Sequence, residues 1–433
     1  MSTGAFIKRL KSQKLAASAL YIVIVISLVI ATLCSAMIVS AYFYRLQYQH
    51  KVRLDILQNN LESGISLVLA SDSLTIYNER VIDLYNNSDD SVSLKVVPWG
   101  LFDVGTVKAF KQRDTLSQSF LIACTLDSLN WSALYLADQQ SPLYVSGKTR
   151  IKGNAYLPKA GVLEVYVEGK KYEGDKRIVI GARRPSKSKL PSLRSARLAY
   201  LEQSLAKMSS TDSMPGRSDL VENYFGKPSK IYHFRNRTVK LSNIRLEGNL
   251  ILYSNGHISI DSTAFLNNIL VFARSIRVGS GFSGRCQLFA RDSIVTGKNC
   301  SFTYPSCLAV LNFNTTDNSQ SRIYLDTASV FNGILLAYEK KKSDGQTLID
   351  IGKDVLIKGQ MYSGGMIRFN EHAEIAGNIT ANKLLHEVNA TMFDNYLIDT
   401  RIDIERLSSH FLTSTLFKDL SKRRKVMQWL NGN

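Results

Sequence analysis

Two stretches in the last quarter of the chain share one order of apolar, polar and glycine positions. They are Ile349–Gly359 (IDIGKDVLIKG) and Ile367–Gly377 (IRFNEHAEIAG), and their first residues lie 18 positions apart. Each has apolar residues at its first and third positions, a turn-forming residue at the fourth, an apolar residue at the ninth and glycine at the eleventh. A pattern repeated at a fixed spacing indicates stacked repeats, in which each repeat presents the same inward residues to the next.

Further copies of the pattern begin at Leu143, Ile258, Ile276, Ile294 and Ile323. The starts at 258, 276 and 294 are again 18 apart, whereas the next two intervals contain polar insertions. The copy from Ile276 has Gly284 where the apolar ninth residue is expected. Eighteen residues make three short strands and three corners, with every second side chain directed inward and Gly, Asn or Asp at the corners.

These repeats predict a mainly β fold: a parallel β-solenoid of about 18 residues per coil over residues 143–400, behind a long N-terminal helix. A basic loop and a helix at Leu193–Met208 interrupt it at about 157–237. We also expect a small β-rich neck at 71–142 and a helical cap at 401–433, because Ile402–Leu430 has the pattern of short helices. A β-sandwich is the alternative, but two-residue hairpin turns such as Asn255–Gly256 are scarce.

The repeat grammar resembles that of bactofilin-like polymerising β-solenoids and of larger β-helix proteins. The resemblance covers about Leu143–Gly153 and Thr238–Ala381. It implies stacked coils, and it raises the alternative that the protein forms polymers by stacking end on end. A flat, uncapped final coil would favour that alternative, and a helical C-terminal cap would oppose it.

The N-terminal region predicts a membrane anchor. From Leu15 to Tyr44 no residue is charged, and this run exceeds the roughly 20 apolar residues that cross a bilayer as a helix. A cleaved signal peptide has an apolar core of only about 7–15 residues, so we expect an uncleaved signal anchor at 15–44. Because the basic leader, residues 1–14, is so short, we expect a cytoplasmic N-terminus at the inner (plasma) membrane, with the bulk of the chain extracytoplasmic. The basic residues on the two sides of the apolar run add only a slight bias in the same direction.

The apolar helix is predicted to continue as an amphipathic stalk over residues 45–70. Leu54, Leu57 and Leu61 recur at helical spacing, and neither Pro nor Gly interrupts residues 15–63. A short basic leader, an apolar helix, an amphipathic half and a C-terminal β-rich domain together resemble pilin-like and pseudopilin-like proteins. The resemblance implies a role in a pilin-like secretion or surface assembly. The leader segment Lys14–Tyr21 (KLAASALY) lacks the Gly-Phe junction and the following acidic residue of major pilins.

Charge adds candidate contact residues. The 433-residue chain has a formal net charge of +18, which favours anionic partners such as lipid headgroups or an acidic glycan. Two basic clusters are the candidate anionic-contact patch: Arg183, Arg184, Lys187, Lys189, Lys422, Arg423, Arg424 and Lys425. The alternative is a solvated loop and a helix end. We expect no nucleic-acid partner, because the sequence shows no aromatic platform interleaved with these clusters.

The sequence predicts no catalytic, cofactor-binding or metal-binding residue. Its six histidines lack zinc spacing, its five cysteines form no CxxC pair, and no nucleotide-binding or hydrolase motif occurs. Asp261 and Asp326 occupy the turn position of the repeat, so we interpret them as turn residues rather than catalytic acids. A disulfide between Cys300 and Cys307, or between Cys286 and Cys300, stays open.

Three functional hypotheses follow. The first is a non-enzymatic, membrane-anchored scaffold or assembly component of the cell envelope that contacts other envelope or pilus-like proteins. The second is a membrane-tethered enzyme or binding module for acidic polysaccharide. A groove lined by several carboxylates and by Arg or Lys from adjacent coils would favour it. The third is the bactofilin-like polymer.

Overall fold

The computed structural model describes most of the chain, which is mainly β after one long N-terminal helix. The described residues are 4–71, 79–84, 90–111, 114–127, 131–206, 220–234, 238–313, 320–342, 345–370, 372–388, 391–418 and 421–430. The side chains of residues 4–18, 421 and 422 lie outside this description.

Helix α1 spans Gly4–Ala70, so the predicted continuous helix is confirmed and begins further toward the N-terminus than expected. Its described apolar side chains between Leu20 and Tyr44 are exposed. Among the described residues α1 is the helix that is long and apolar enough to cross a membrane, by length and composition. Further along α1, Leu57 and Val68 are buried while Glu62 is exposed, which is the two-sided pattern predicted for the stalk.

Strands form in the region predicted as a neck. They are β1 (Arg80–Asp83), β2 (Asp90–Trp99), β3 (Phe102–Lys111) and β4 (Asp114–Leu126). They neighbour one another in chain order in one sheet. β2, β3 and β4 each bury apolar side chains, so this sheet has a covered face.

Short strands and one helix follow the neck. The strands are β5 (Leu134–Leu136), β6 (Leu143–Ser146), β7 (Arg150–Lys152), β8 (Ala155–Leu157), β9 (Val162–Glu164), β10 (Val179–Ile180) and β11 (Arg183–Pro185). Helix α2 spans Ser195–Ala206. It lies inside the predicted Leu193–Met208, whose last two residues are outside the described chain.

Longer strands carry the repeat region. They are β12 (Leu220–Asn223), β13 (Lys230–Phe234), β14 (Val239–Leu241), β15 (Arg245–Gly248), β16 (Leu250–Ile260), β17 (Phe265–Val278), β18 (Ser283–Thr296), β19 (Ser301–Asn312), β20 (Arg322–Leu325), β21 (Val330–Glu339), β22 (Leu348–Ile351), β23 (Leu356–Phe369) and β24 (Glu374–Val388). The last strands are β25 (Thr391–Asp394), β26 (Tyr396–Ile398), β27 (Arg401–Asp403), β28 (Leu412–Thr413) and β29 (Ser421–Leu430), with a 3-10 turn at Ile404–Arg406.

The repeat strands form a parallel, solenoid-like sheet in the predicted register. The predicted starting residues pair from coil to coil and then reach Leu384, in the order Ile258, Ile276, Ile294, Ile323, Ile349, Ile367 and Leu384. Each of these side chains is at most 1% exposed. The pattern recurs along the chain because equivalent residues of neighbouring coils pack in one buried row.

The apolar ninth position forms a second buried row. Phe302, Phe331, Ile357 and Ile375 pair in succession. The exception at Gly284 has a steric cause, because a Cβ there would lie 2.7 Å from the ring of the buried Phe282. The large side chain of this coil is that of Phe282, two positions before Gly284, and it fills the interior there.

The order of the coils differs from the sequence order. β24 pairs in parallel with β5 and β27, β27 pairs with β7, and β7 pairs with β10. Ile375, Ile402, Ile151 and Val179 thereby continue the buried ninth-position row. The copy beginning at Leu143 was expected to start the stack, but it lies beyond the coil of β24. Strands from residues 134–185 therefore cover the coil that the sequence predicted to be last.

The predicted helical cap over residues 401–433 is wrong. Within its described part, Arg401–Asp403 is a strand and Ser421–Leu430 is a ten-residue strand that pairs antiparallel with β4. β28 also pairs antiparallel with β4. Pairing with a partner about 300 positions away overrides the local helical preference of this segment.

A second apolar core lies on one outer face of the coils. Neck residues such as Trp99 and Phe102 and the α2 residue Leu201 pack with the coil residues Phe272 and Phe289. Polar contacts fix this packing, because Gln287 Oε1 accepts from Leu101 N (2.9 Å) and Gln287 Nε2 donates to Trp99 O (3.1 Å). The inserted helix thus lies against the side of the stack. All five cysteines are free thiols, so neither disulfide alternative forms.

Candidate functional site

The first basic cluster lies on the outermost described coil rather than in a loop alone. Arg183 and Arg184 belong to β11, which pairs in parallel with β8. Lys187 and Lys189 follow directly, and all four side chains are exposed. The structure therefore places these four predicted residues close together on one surface, which we call the β11 patch.

Two tyrosines that the sequence reasoning missed lie beside the β11 patch. Arg184 Nη1 donates to Tyr156 Oη (3.0 Å), and its guanidinium carbon lies 5.8 Å from the centre of that ring. Tyr135 Oη accepts from Lys187 N (3.2 Å), and the two rings lie 5.4 Å apart. Burial raises the pKa of Tyr135. These tyrosines precede the cluster by 28 and 52 positions, and only the coil register could have revealed the contact.

The second basic cluster is in a strand, not at a helix end. Lys422, Arg423, Arg424 and Lys425 belong to β29 in the neck sheet, and Arg423 and Lys425 are exposed. Arg424 is half-buried opposite Cys124. Burial raises the pKa of the Cys124 thiol, and the positive charge of Arg424 opposes that rise. The two basic clusters thus lie in different sheets, and contact of either cluster with an anion stays a prediction.

A charged groove of about 420 Å³ crosses several coil corners. It is lined by carboxylates and cationic side chains of neighbouring layers, among them Asp354, Glu374, Asp399, Lys148, His372 and Arg401. We call it the corner groove. Carboxylates together with Arg or Lys from adjacent coils are the composition that would favour a polysaccharide enzyme or binding module. No sequence motif predicted these residues.

Backbone geometry explains part of the composition of the corner groove. Asp354, His372 and Asp399 have φ values of 55°, 57° and 48°. Asn, Asp and His tolerate this left-handed region better than most residues. At the equivalent corner of another coil, Asn299 has a φ of 57°. A turn requirement therefore favours these residue types independently of any chemistry.

Ion pairs hold two of the carboxylates in the corner groove. Glu374 lies 2.8 Å from Arg406 Nη1 and 3.5 Å from Arg401 Nη1. Asp399 accepts from Lys170 Nζ and from Lys148 N, both at 2.8 Å. Burial alone would raise the pKa of Asp399, but these hydrogen bonds outweigh it and lower the pKa. A general acid needs a raised pKa, so Asp399 is poorly suited to donate a proton.

The corner carboxylates singled out in the sequence behave as turn residues. Asp261 Oδ1 accepts from Thr263 N (3.2 Å), and Asp326 Oδ1 accepts from Thr327 N (2.7 Å). The Thr263 hydrogen bonds lower the pKa of Asp261. Side-chain acceptors that bond to the next backbone N–H groups are typical of tight turns. These hydrogen bonds agree with the interpretation of Asp261 and Asp326 as turn residues.

The described part of the chain contains no group of three or more His, Cys, Asp or Glu side chains that could hold a metal ion. The chain matches no protein-family model, and comparisons with curated proteins and with solved structures find no match.

Proposed function

We propose that this protein is a non-enzymatic, single-pass membrane-anchored scaffold or assembly component of the cell envelope. The observation that carries the proposal is the exposed apolar stretch of α1 in the same chain as a solenoid-like domain with aligned buried rows. Exposed apolar side chains over more than 20 consecutive helical residues are costly in water and favourable in lipid. Stacked coils provide long lateral surfaces, which suit a protein that positions partners.

The proposal has the N-terminus in the cytoplasm and residues 45–433 outside the inner membrane. Residues 15–44 contact the lipid bilayer, and residues 45–70 form a stalk. The short basic leader supports this orientation, because positive segments stay on the cytoplasmic side. A pilin-like assembly role is a narrower form of the same proposal, supported by the helix that continues from an apolar to an amphipathic half.

Protease protection tests the anchor and its orientation. The full chain, tagged at either end, is expressed in bacterial cells whose outer membrane is then permeabilised. We expect the chain in the alkali-resistant membrane fraction, with the C-terminal tag digested and the N-terminal tag protected. A matched variant with Ile26, Val29 and Leu33 changed to Asp should leave the membrane fraction. Release of the parent chain by alkali, or protection of the C-terminal tag, would refute the proposal.

The corner groove supports a second candidate, a binding module for acidic polysaccharide. Arg401 and Lys148 supply positive charge there, whereas the paired carboxylates oppose an anionic ligand. The full chain and an Arg401→Gln variant can be compared by affinity electrophoresis in polygalacturonate. Retardation that the variant loses would support this candidate, and equal mobility with and without polymer would remove it.

The third hypothesis, end-to-end polymerisation, receives less support from the structure. Strands β5–β11 cover the coil of β24, and the outermost strand β11 consists of two arginines and Pro185. Charged side chains and proline blunt strand edges against further pairing. Light scattering of the full chain in nanodiscs should therefore give one mass at all concentrations, whereas a mass that grows with concentration would favour a polymer.

A further inference from the structure

A second cleft, of about 220 Å³, lies where β29 passes the first coils of the stack. Its lining includes Trp429 and Gln428 from β29 and the coil residues Glu222, Tyr224, Glu247 and Asn267. We call it the Trp429 cleft. It belongs neither to the basic clusters nor to the corner groove.

Trp429 is the exposed tryptophan of the chain. Its side chain is 55% exposed, whereas Trp99 and Trp131 are 4% and 9% exposed. The buried Phe120 contacts the Trp429 ring edge-to-face, with centroids 5.6 Å apart and planes at 66°. This contact restrains the indole while much of its surface stays open. An exposed, restrained aromatic ring is a typical anchor for a ligand with an apolar face.

A row of polar side chains faces the cleft. Glu222, Glu247 and Asn267 are register partners on three successive coils, about 4.8 Å apart from strand to strand. Asn267 Nδ2 donates to Glu247 Oε1 (2.6 Å), and Arg245 Nη2 donates to Glu247 Oε2 (3.1 Å). The internal hydrogen bonds fix the direction of Glu247, so the row presents oriented acceptors.

Gln428 adds a buried acceptor with no partner. Its Oε1 atom is inaccessible to solvent and makes no hydrogen bond in the described structure. An unsatisfied buried acceptor costs about 1–3 kcal/mol, and such atoms in native structures call for an explanation. Because this atom is closed to solvent, a ligand donor in the Trp429 cleft supplies the missing bond only after the Gln428 side chain rotates its Oε1 toward the cleft.

We propose that the Trp429 cleft binds one ring of a neutral, hydroxyl-rich saccharide chain. The C–H face of a pyranose packs on the indole, and its hydroxyl groups donate to the carboxylates of Glu222 and Glu247 and, once its side chain has rotated, to Gln428 Oε1. Two carboxylates disfavour an anionic sugar at this place. The volume is below the roughly 300–1,000 Å³ typical of pockets for whole drug-sized ligands, which suits a single ring of a longer chain. The proposal is independent of membrane orientation.

Tryptophan fluorescence tests the proposal directly, because Trp429 is the tryptophan open to solvent. The full chain is kept in a detergent without a sugar headgroup and titrated with soluble hexamers of glucose (β-1,4 and α-1,4) and of N-acetylglucosamine. A galacturonic acid hexamer is the anionic arm. We expect a saturable spectral shift with at least one neutral hexamer and none with the acidic one. The absence of binding by all three neutral hexamers would overturn the proposal, as would equal binding of the acidic hexamer.

Variants measured by calorimetry separate the roles of the residues. We expect Trp429→Ala to weaken saccharide binding about tenfold or more and Trp429→Phe to weaken it less. We expect Glu222→Gln to weaken saccharide binding about threefold or more. The matched control is Tyr166→Ala, an aromatic side chain that is 74% exposed outside the cleft, and its affinity should equal that of the parent. Parental affinity in a folded Trp429→Ala variant would refute the assignment. If Trp429→Ala does not fold, the affinity of Glu222→Gln is the test instead, and parental affinity in that variant would refute the assignment.

Discussion

Three glycines at the eleventh position of the repeat are stacked on one another. Gly333, Gly359 and Gly377 are direct register partners, with φ values of 146°, 150° and 155°. A Cβ added to Gly359 would lie under 3.0 Å from the carbonyl oxygen of Gly333. The glycine is therefore required twice, by its own backbone conformation and by the close approach of the neighbouring coil.

Replacing the central glycine should destabilise the stack. For Gly359→Ala we expect a loss of about 2–4 kcal/mol in the free energy of unfolding, because both strain and a backbone clash arise. The control is Gly364→Ala in the same strand, where the nearest atom to the new Cβ lies at 3.6 Å and the change should stay within about 1 kcal/mol. Denaturant unfolding of the full chain, followed by its β-sheet circular dichroism signal, compares the two. Equal midpoints for both variants would contradict the steric account.

Residue identities in the buried rows could be predicted because they repeat. The repeat pattern predicted that Ile258, Ile276, Ile349 and Ile367 point inward, since each coil has an inward residue at the same position. Contacts outside the repeat could not be predicted in this way. Tyr156 meets Arg184, and Trp429 meets Phe120, through pairings that local sequence does not encode. The basic residues of the β11 patch were found from charge alone, while their aromatic neighbours and the Trp429 cleft were missed.

At the scale of elements, α2, the neck and the C-terminal segment are joined by one buried guanidinium. Arg197 donates to Phe102 O (3.0 Å), to Thr415 Oγ1 (3.2 Å) and to the carboxylate of the buried Asp103. No spacing in α2 distinguishes this arginine from a solvated one, so the sequence could predict the helix but not its attachment. A buried ion pair that joins three segments fixes how they pack, whatever its net contribution to stability.

Removing one partner of this pair should cost more than removing an exposed pair. Arg197→Met leaves Asp103 buried and uncompensated, and we expect a loss of about 3–5 kcal/mol. The control is Asp292→Asn, whose pair with Arg274 has side chains 33% and 62% exposed, and which should cost less than about 1 kcal/mol. Thermal unfolding of the full-length variants measures both. Adding Asp103→Leu to Arg197→Met should recover part of the loss, and a further loss instead would argue against an uncompensated charge as the cause.

At the scale of the whole solenoid-like domain, chain order and stacking order are different. The coils run from β12 to β24, and the layers beyond β24 are built partly from residues 134–185, which precede β12 in the chain. The Leu143 copy was expected to come first because neighbours in sequence are usually neighbours in space. That rule holds within the run from Ile258 to Ile375 and fails at its end, where a strand edge would otherwise be unpaired. Covering this edge replaces the cap that was expected from the C-terminus.

An engineered disulfide tests this stacking order. Arg150 and Arg401 are exposed register partners on β7 and β27, and neighbouring strands about 4.8 Å apart fall within the Cα separation of roughly 4.4–6.8 Å that disulfides accept. In a Cys34→Ser background, which removes the exposed native thiol, we expect Arg150→Cys with Arg401→Cys to form an intramolecular bond under mild oxidation. The bond would be seen as faster migration of the denatured chain on a non-reducing gel.

Arg150→Cys with Arg245→Cys is the control, because β15 lies among the first coils and its exposed position 245 pairs with Phe265 instead. If the control pair cross-links as readily as the test pair, or if the test pair forms only bonds between molecules, residues 134–185 do not cover the coil of β24.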